Sequence, residues 1–465
     1  MRTLTRPSLI AFFTLIGTAL LSVVTTVTTV VTLTATALIV PGTGTPNANI
    51  VAGYLQNADD YYIAPFNPAC SSANSCALQG IDYPAQFWPI PLAGWGGLNG
   101  KKWNVSTGEG IANLNTALQA LLPTATPEDP VIMMGYSQGG NIVSRYKRML
   151  SGLTEAQKDS LAFVMIGNTN RPNGGLFERL AYLGKVPILG ATFGLPAPTK
   201  TGIKTTDIAF QYDGVADFPL YPLNVLADLN AIFGFWYIHG SYLAPNAHDP
   251  EDLPDGYSME ELEAAITDPK NQRTYGDTTY VTIPTRTLPL IQPLLDIGHT
   301  THTMAIMKPI ADLIAPVLRV LIDTGYNRKM NPGIAAPFEI APLLNPVALV
   351  VNLIKAAGQG VHDALADITG RARTGAAATP EAPETPVRTP VAAVAAPPQR
   401  TPDAETRTKK RVHAQRDPIV ATDRQTAKRP AHAVDTGSTA LRAGKADKHG
   451  DTKPNRPARH HHRAA

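Results

Sequence analysis

The chain has 465 residues, with 40 Lys+Arg against 37 Asp+Glu and only two cysteines. That length admits two or three domains or one core with non-globular ends, and abrupt composition changes at both ends favour the second. Two thiols with no adjacent histidine argue against a metal centre, so none is expected.

The N-terminal end comes first. Pro7 to Ala58 contains no charged residue, and Leu9 to Val31 holds only apolar residues, Gly, Ser and Thr. As a helix this stretch is long enough to cross a hydrocarbon layer of about 30 Å. Arg2 and Arg6 precede it, and no clear small-residue cleavage site follows. The expectation is an uncleaved signal anchor over residues 1–31. That would make a single-pass protein of the cell membrane, with its bulk on the periplasmic or extracellular side. The threonines between Thr25 and Thr34 keep a cleaved signal, and hence secretion, open as the alternative.

Ala35 to Val40 reads as a strand and ends in Pro41-Gly42-Thr43-Gly44-Thr45-Pro46. Cys70 and Cys76 lie close together in a polar segment. They are expected to close a small disulfide loop in an oxidising compartment, the alternative being two free thiols. Helical periodicity follows from Glu109 to Leu122, where Ile111, Leu114, Leu118, Leu121 and Leu122 share a face. An apolar run, Val131 to Met134, then leads into Gly135-Tyr136-Ser137-Gln138-Gly139 and a helical pattern from Asn141 to Leu150.

Strand, G-x-S-x-G and helix in that order read as a nucleophile elbow, with the serine on a strained turn at the top of a sheet. Side chains at Gly135 and Gly139 would crowd the point where strand and helix meet. Further strands are expected at Leu161 to Ile166 and Asp207 to Tyr212. Alternating strands and helices of this kind define an α/β architecture. Leu183 to Pro198 is apolar but irregular and reads either as a lid over an acyl pocket or as an ordinary packed loop.

A serine hydroxyl is a poor nucleophile until a base takes its proton and an acid orients that base. In this fold the order is Ser, acid, His. After Tyr212 come Asp213-Gly214-Val215-Ala216-Asp217, an apolar helical stretch from Leu223 to Phe233, and Tyr237-Ile238-His239-Gly240. Asp217 and His239 are the preferred partners of Ser137, and Asp213 is the competing acid. Either aspartate could instead cap a helix or tie a turn. His248 sits in a Pro/Asp-rich loop, while His299 and His302 read as structural or capping. The oxyanion donors are expected from the backbone of Gln138 and of Thr43, in the loop after the first strand.

Apolar helical patterns run from Ile310 to Ile322 and from Ala341 to Ile354. The first is expected to pack on the body; for the second, packing and lying along a membrane both stand. From Arg371 to Ala465 there is no Phe, Trp, Tyr or Cys, and 19 Lys+Arg face 9 Asp+Glu, which leaves 21 against 28 for residues 1–370. A tail of that composition is expected to be disordered. It suits contact with anionic lipid or wall polymer, the alternative being a solvated tail without a partner; no specific nucleic-acid binding is expected.

The motifs at 41–46 and 135–139, together with Tyr83-Pro84-Ala85, Asn170-Arg171-Pro172-Asn173-Gly174-Gly175, Tyr212 to Pro219 and Tyr237 to Gly240, resemble segments of the mycobacterial PE-PPE-domain serine hydrolases, relatives of cutinases. The resemblance spans roughly residues 35 to 330. It implies a cutinase-like α/β-hydrolase fold, ester chemistry on acyl chains, no cofactor, and the roles of Ser137, Asp217 and His239.

With a hydrophobic N-terminus where longer members carry a PE or PPE region, the chain looks like anchored members that act as acyltransferases building acylated trehalose lipids of the envelope. The expected organisation is an anchor (1–31), a hydrolase domain (32–330), a helical extension (331–370) and a tail (371–465). The leading expectation is a serine esterase or acyltransferase on acyl lipids. A non-catalytic lipid- or wall-binding protein on a hydrolase scaffold is the alternative.

Overall fold

The computed structural model of the chain describes residues 35–70, 76–243 and 253–370. The expected anchor, His248 and the basic tail lie outside the described residues. One expectation is corrected: among the described residues no helix is long and apolar enough to cross a membrane, against a single-pass chain.

Among the described residues nine strands run in chain order as β1 (Thr36–Val40), β2 (Ala77–Gly80), β3 (Val131–Tyr136), β4 (Leu161–Ile166), β5 (Lys185–Val186), β6 (Ala191–Thr192), β7 (Lys204–Phe210), β8 (Gln272–Tyr275) and β9 (Thr278–Ile283). Among the described residues the helices of nine or more residues are α1 (Trp103–Leu121), α2 (Gln138–Met149), α3 (Val225–Tyr237), α4 (Met259–Thr267), α5 (Gln292–Thr300), α6 (Met304–Asp323) and α7 (Pro346–Thr369). Seven strands form one sheet in the order β2-β1-β3-β4-β7-β9-β8. All its pairings are parallel except β8 with β9.

Parallel strands are buried on both faces, and the side chains show it. Ile132, Met134, Val164 and Ile166 face a core with Tyr62, Ile238 and Tyr242, whereas Met133, Phe163 and Met165 face the opposite core with Leu114, Leu118 and Ile142. In register, Val40 pairs with Gly135, Tyr136 with Ile166, and Ile166 with Ile208. The carboxyl ends of β1, β3, β4 and β7 therefore open on the same edge, where ligands of open α/β sheets bind.

Leu183 to Pro198 is a packed segment. Its β5–β6 hairpin ties to the start of α1, where Asn104 N–H donates to Gly190 O over 2.7 Å, and Phe193 packs with Phe177 and Trp103. The pattern at 310–322 belongs to α6, which packs against α3 and α5. α7 lies on α6 through a small-residue face, since a side chain at Gly360 would collide with the Leu313 carbonyl.

One buried ion pair joins the sheet to the loop after β4. The Arg171 guanidinium donates to Asp207 Oδ1 over 2.7 Å and to Thr282 Oγ1 over 2.8 Å, and both charged side chains are at most 2 % exposed. Removing one partner leaves an uncompensated buried charge. Arg171→Leu is expected to cost about 3–5 kcal/mol of stability. Urea denaturation checks this, and a smaller loss in Arg171→Leu/Asp207→Leu than in the single variant confirms the cause.

Candidate active site

Ser137 sits between β3 and α2 with φ +56° and ψ −113°, a backbone conformation that costs a non-glycine residue about 1–3 kcal/mol. Close packing enforces it. A side chain at Gly135 would collide with the Gly139 carbonyl, and one at Gly139 with the Val40 carbonyl. Strand and helix thus cross with no room to spare, and the turn between them pushes the serine hydroxyl outward.

His239 follows α3 and is 4 % exposed. Its Nε2 lies 2.9 Å from Ser137 Oγ, and its Nδ1 lies 3.1 Å from Asp213 Oδ2 and 3.0 Å from Asp213 Oδ1. The ring is boxed in. Gly167, at φ +53°, lies beneath it, where a methyl group would sit 2.9 Å from Cε1; Phe235 stacks on it at 5.8 Å; and the Tyr136 hydroxyl donates to the His239 carbonyl.

Asp213 is fully buried in the turn after β7. It accepts from Tyr242 Oη over 2.7 Å and from Val215 N–H over 2.7 Å. Burial by itself would raise this carboxyl. The combined pull of His239, Tyr242 and the Val215 amide holds it below the usual carboxylate range instead. The acid therefore faces the imidazole ionised, which fixes the proton on Nδ1 and leaves Nε2 free to accept from the serine.

The loop after β1 abuts the serine, since a methyl group at Gly42 would lie 3.2 Å from Ser137 Cβ. Gly42 N–H donates to Tyr54 Oη and Gly44 N–H to the Ala85 carbonyl, which fixes the backbone on either side of Thr43. Gln138 opens α2, where a first-turn N–H has no intrahelical acceptor. Its side chain is held by Ser106 Oγ at 3.0 Å and by the Gln86 carbonyl at 3.1 Å. Trp95 borders this loop, where a methyl group at Gly44 would lie 3.4 Å from its ring, and meets Phe235 edge-on at 6.2 Å.

Of the two candidate acids, the preferred one is corrected. Asp217 is not at the imidazole: Arg328 Nη1 donates to both its oxygens over 2.7 Å, and Tyr212 N–H donates to Oδ2 over 2.8 Å. Its charge is spent on fixing the turn that presents Asp213. The positive φ of Tyr212, +63°, reverses the chain just before Asp213 and aims that residue inward. Cys70 and Cys76 are joined in a disulfide away from the serine, beside the start of β2. His299 and His302 are exposed and take no part. Tyr242 and the Trp95–Phe235 pair were missed by sequence reasoning, for nothing in their local spacing separates them from core aromatics.

A mostly parallel sheet, an elbow serine after β3 and an imidazole–carboxylate pair from later loops define the α/β-hydrolase class. Within that class, the chain belongs to the PE-PPE domain family, which matches residues 75–327. It is 34% identical over 310 residues to the PPE family protein PPE42 of Mycobacterium tuberculosis (strain CDC 1551 / Oshkosh), covering 66% of this chain and 47% of that one. Esterase PE16 of M. tuberculosis (strain ATCC 25618 / H37Rv) is 34% identical over 327 residues, covering 70% and 54%. The SL1278 acyltransferase Chp1 of the same strain is 31% identical over 330 residues, covering 68% of each chain. The chain thus spans about half the length of the first two.

Asp213→Asn is expected to lower ester turnover by about 10⁴-fold through the wrong imidazole tautomer. Asp217→Asn should instead lower the unfolding midpoint while keeping most of the turnover; kinetics and denaturation on both variants separate the two. Tyr242→Phe removes one donor that holds the Asp213 carboxyl down, so the acid limb of the pH–rate profile should move to higher pH. An unmoved limb would make Tyr242 a packing residue only.

Proposed function

We propose that this chain is a serine esterase or acyltransferase acting on acyl esters of lipids through an acyl-serine intermediate. The observation that carries the reading is the continuous hydrogen-bonded line from Ser137 Oγ through His239 to Asp213. Two relatives, an esterase and an acyltransferase, support the same chemistry.

Ser137 Oγ attacks the ester carbonyl as its proton passes to His239 Nε2, and Asp213 stabilises the resulting imidazolium. The N–H groups of Thr43 and Gln138 receive the oxyanion, each such donor being worth about 10²–10³ in rate. Collapse expels the alcohol, which takes the proton from His239, and leaves the acyl group on Ser137. Water arriving second gives hydrolysis. A sugar hydroxyl arriving second gives transfer, and the cover of Phe235 over the histidine, with Trp95 edge-on against Phe235, favours an acceptor that excludes water.

Ser137→Ala is expected to abolish labelling by a fluorophosphonate probe and to lower ester turnover by about 10⁴-fold or more. A wild-type protein that neither labels nor turns over a dissolved ester overturns the reading. Incubation with an acyl ester and trehalose distinguishes the acceptors: acylated sugar establishes transfer, and free acid alone at every trehalose concentration establishes hydrolysis.

A further inference from the structure

The helix that delivers His239 has an outer face without charge. From Pro222 to Gly240 every exposed residue is apolar or glycine. On α3 these are Val225, Leu229, Ile232 and Trp236, between 40 and 64 % exposed and spaced four, three and four residues apart. That spacing makes a single stripe along one side of the helix. The stripe is surplus to folding, because α3 already buries its opposite side through Ala227, Asn230, Ala231 and Gly234. Gly234 meets the Tyr212 carbonyl so closely that no side chain fits between them. The one carboxylate on the helix, Asp228, is half-buried, and burial raises it to about 6.

The stripe ends at the chemistry. Trp236 meets Phe235 edge-on at 5.2 Å, and Phe235 stacks on the His239 ring, so the apolar surface runs without a charged break to the imidazole. Its size points to the occupant. A stable protein interface takes about 20–30 residues a side, far more than one short stripe supplies. A helix lying in a lipid–water interface needs only an apolar stripe on one face, and a 13-residue helix is too short to span.

We propose that the outer face of α3 is the docking surface for aggregated acyl lipid, lying in the plane of the lipid surface and bringing acyl esters to Ser137. The choice of lipid as occupant rests on the ester reading above. Docking itself is measured independently of catalysis.

The full chain is mixed with phosphatidylcholine vesicles whose acyl chains are brominated. The brominated chains should quench wild-type tryptophan emission, and Trp236→Phe should lose at least half of that quenching. Equal quenching in both proteins overturns the proposal. In a second arm, Leu229→Ser/Ile232→Ser should lower turnover of an emulsified long-chain ester at least tenfold while turnover of a dissolved short-chain ester stays within twofold. Undiminished emulsion turnover overturns the proposal. So does a concentration-dependent dimer that the double variant dissolves without bromolipid quenching in the wild type, since the face would then belong to a second copy. Failure of the ester reading would show separately, as absent turnover of the dissolved ester, with the quenching result still standing.

Discussion

The contact between the His239 ring and the backbone of Gly167 is the constraint around which the site is built. An imidazole can bridge a serine and a carboxylate only if its ring plane is fixed to within a few tenths of an ångström. Here packing and hydrogen bonds fix it together. A left-handed glycine and Phe235 both crowd the ring, and Tyr136 holds the histidine carbonyl from the strand that leads into Ser137. Because Gly167 follows β4 and Tyr136 ends β3, the sheet itself sets the distance from imidazole to serine. The polar loop after β4 is anchored in turn, with Asn168 donating to Asp207 and Asn141 to Asn170.

The acid shows how a charge is kept useful while buried. Asp213 is fully enclosed, which disfavours ionisation, but three donors converge on it and the balance falls on the side of the carboxylate. Asp217, four residues on, is also buried but faces a guanidinium. Two like side chains in one turn thus receive opposite tasks from their neighbours alone. One faces the imidazole, the other a guanidinium that ties the turn.

Much of this was legible in the amino-acid order. The elbow could be read because strand, small residues and helix must follow one another for the crossing to close, and the strand at Leu161–Ile166 because six consecutive apolar residues suit a sheet buried on both faces. His239 was legible from its order after the serine. What was not legible was long-range. Arg328 lies 111 residues beyond Asp217, and no local pattern shows that it claims that aspartate. The edge strand β8, with mostly exposed polar residues, has no apolar signature, and β2 is short and half-exposed. The start of α1 ran early for a physical reason: the helix begins six residues before its periodic pattern, at Trp103, which is buried against Phe177 and Phe87 and not against the sheet.

The pairing of Arg328 with Asp217 bears on where this module can be cut. The family match closes at residue 327, one position short of the arginine that steadies the aspartate turn. A fragment trimmed to the matched boundary would keep serine, histidine and Asp213 yet lose the clasp behind them. The working unit therefore extends at least through that residue, and the stretch after it, where the Ala336 carbonyl caps Arg179 and Phe338 N–H reaches the Arg179 carbonyl, acts as a strap sewn across the back of the site.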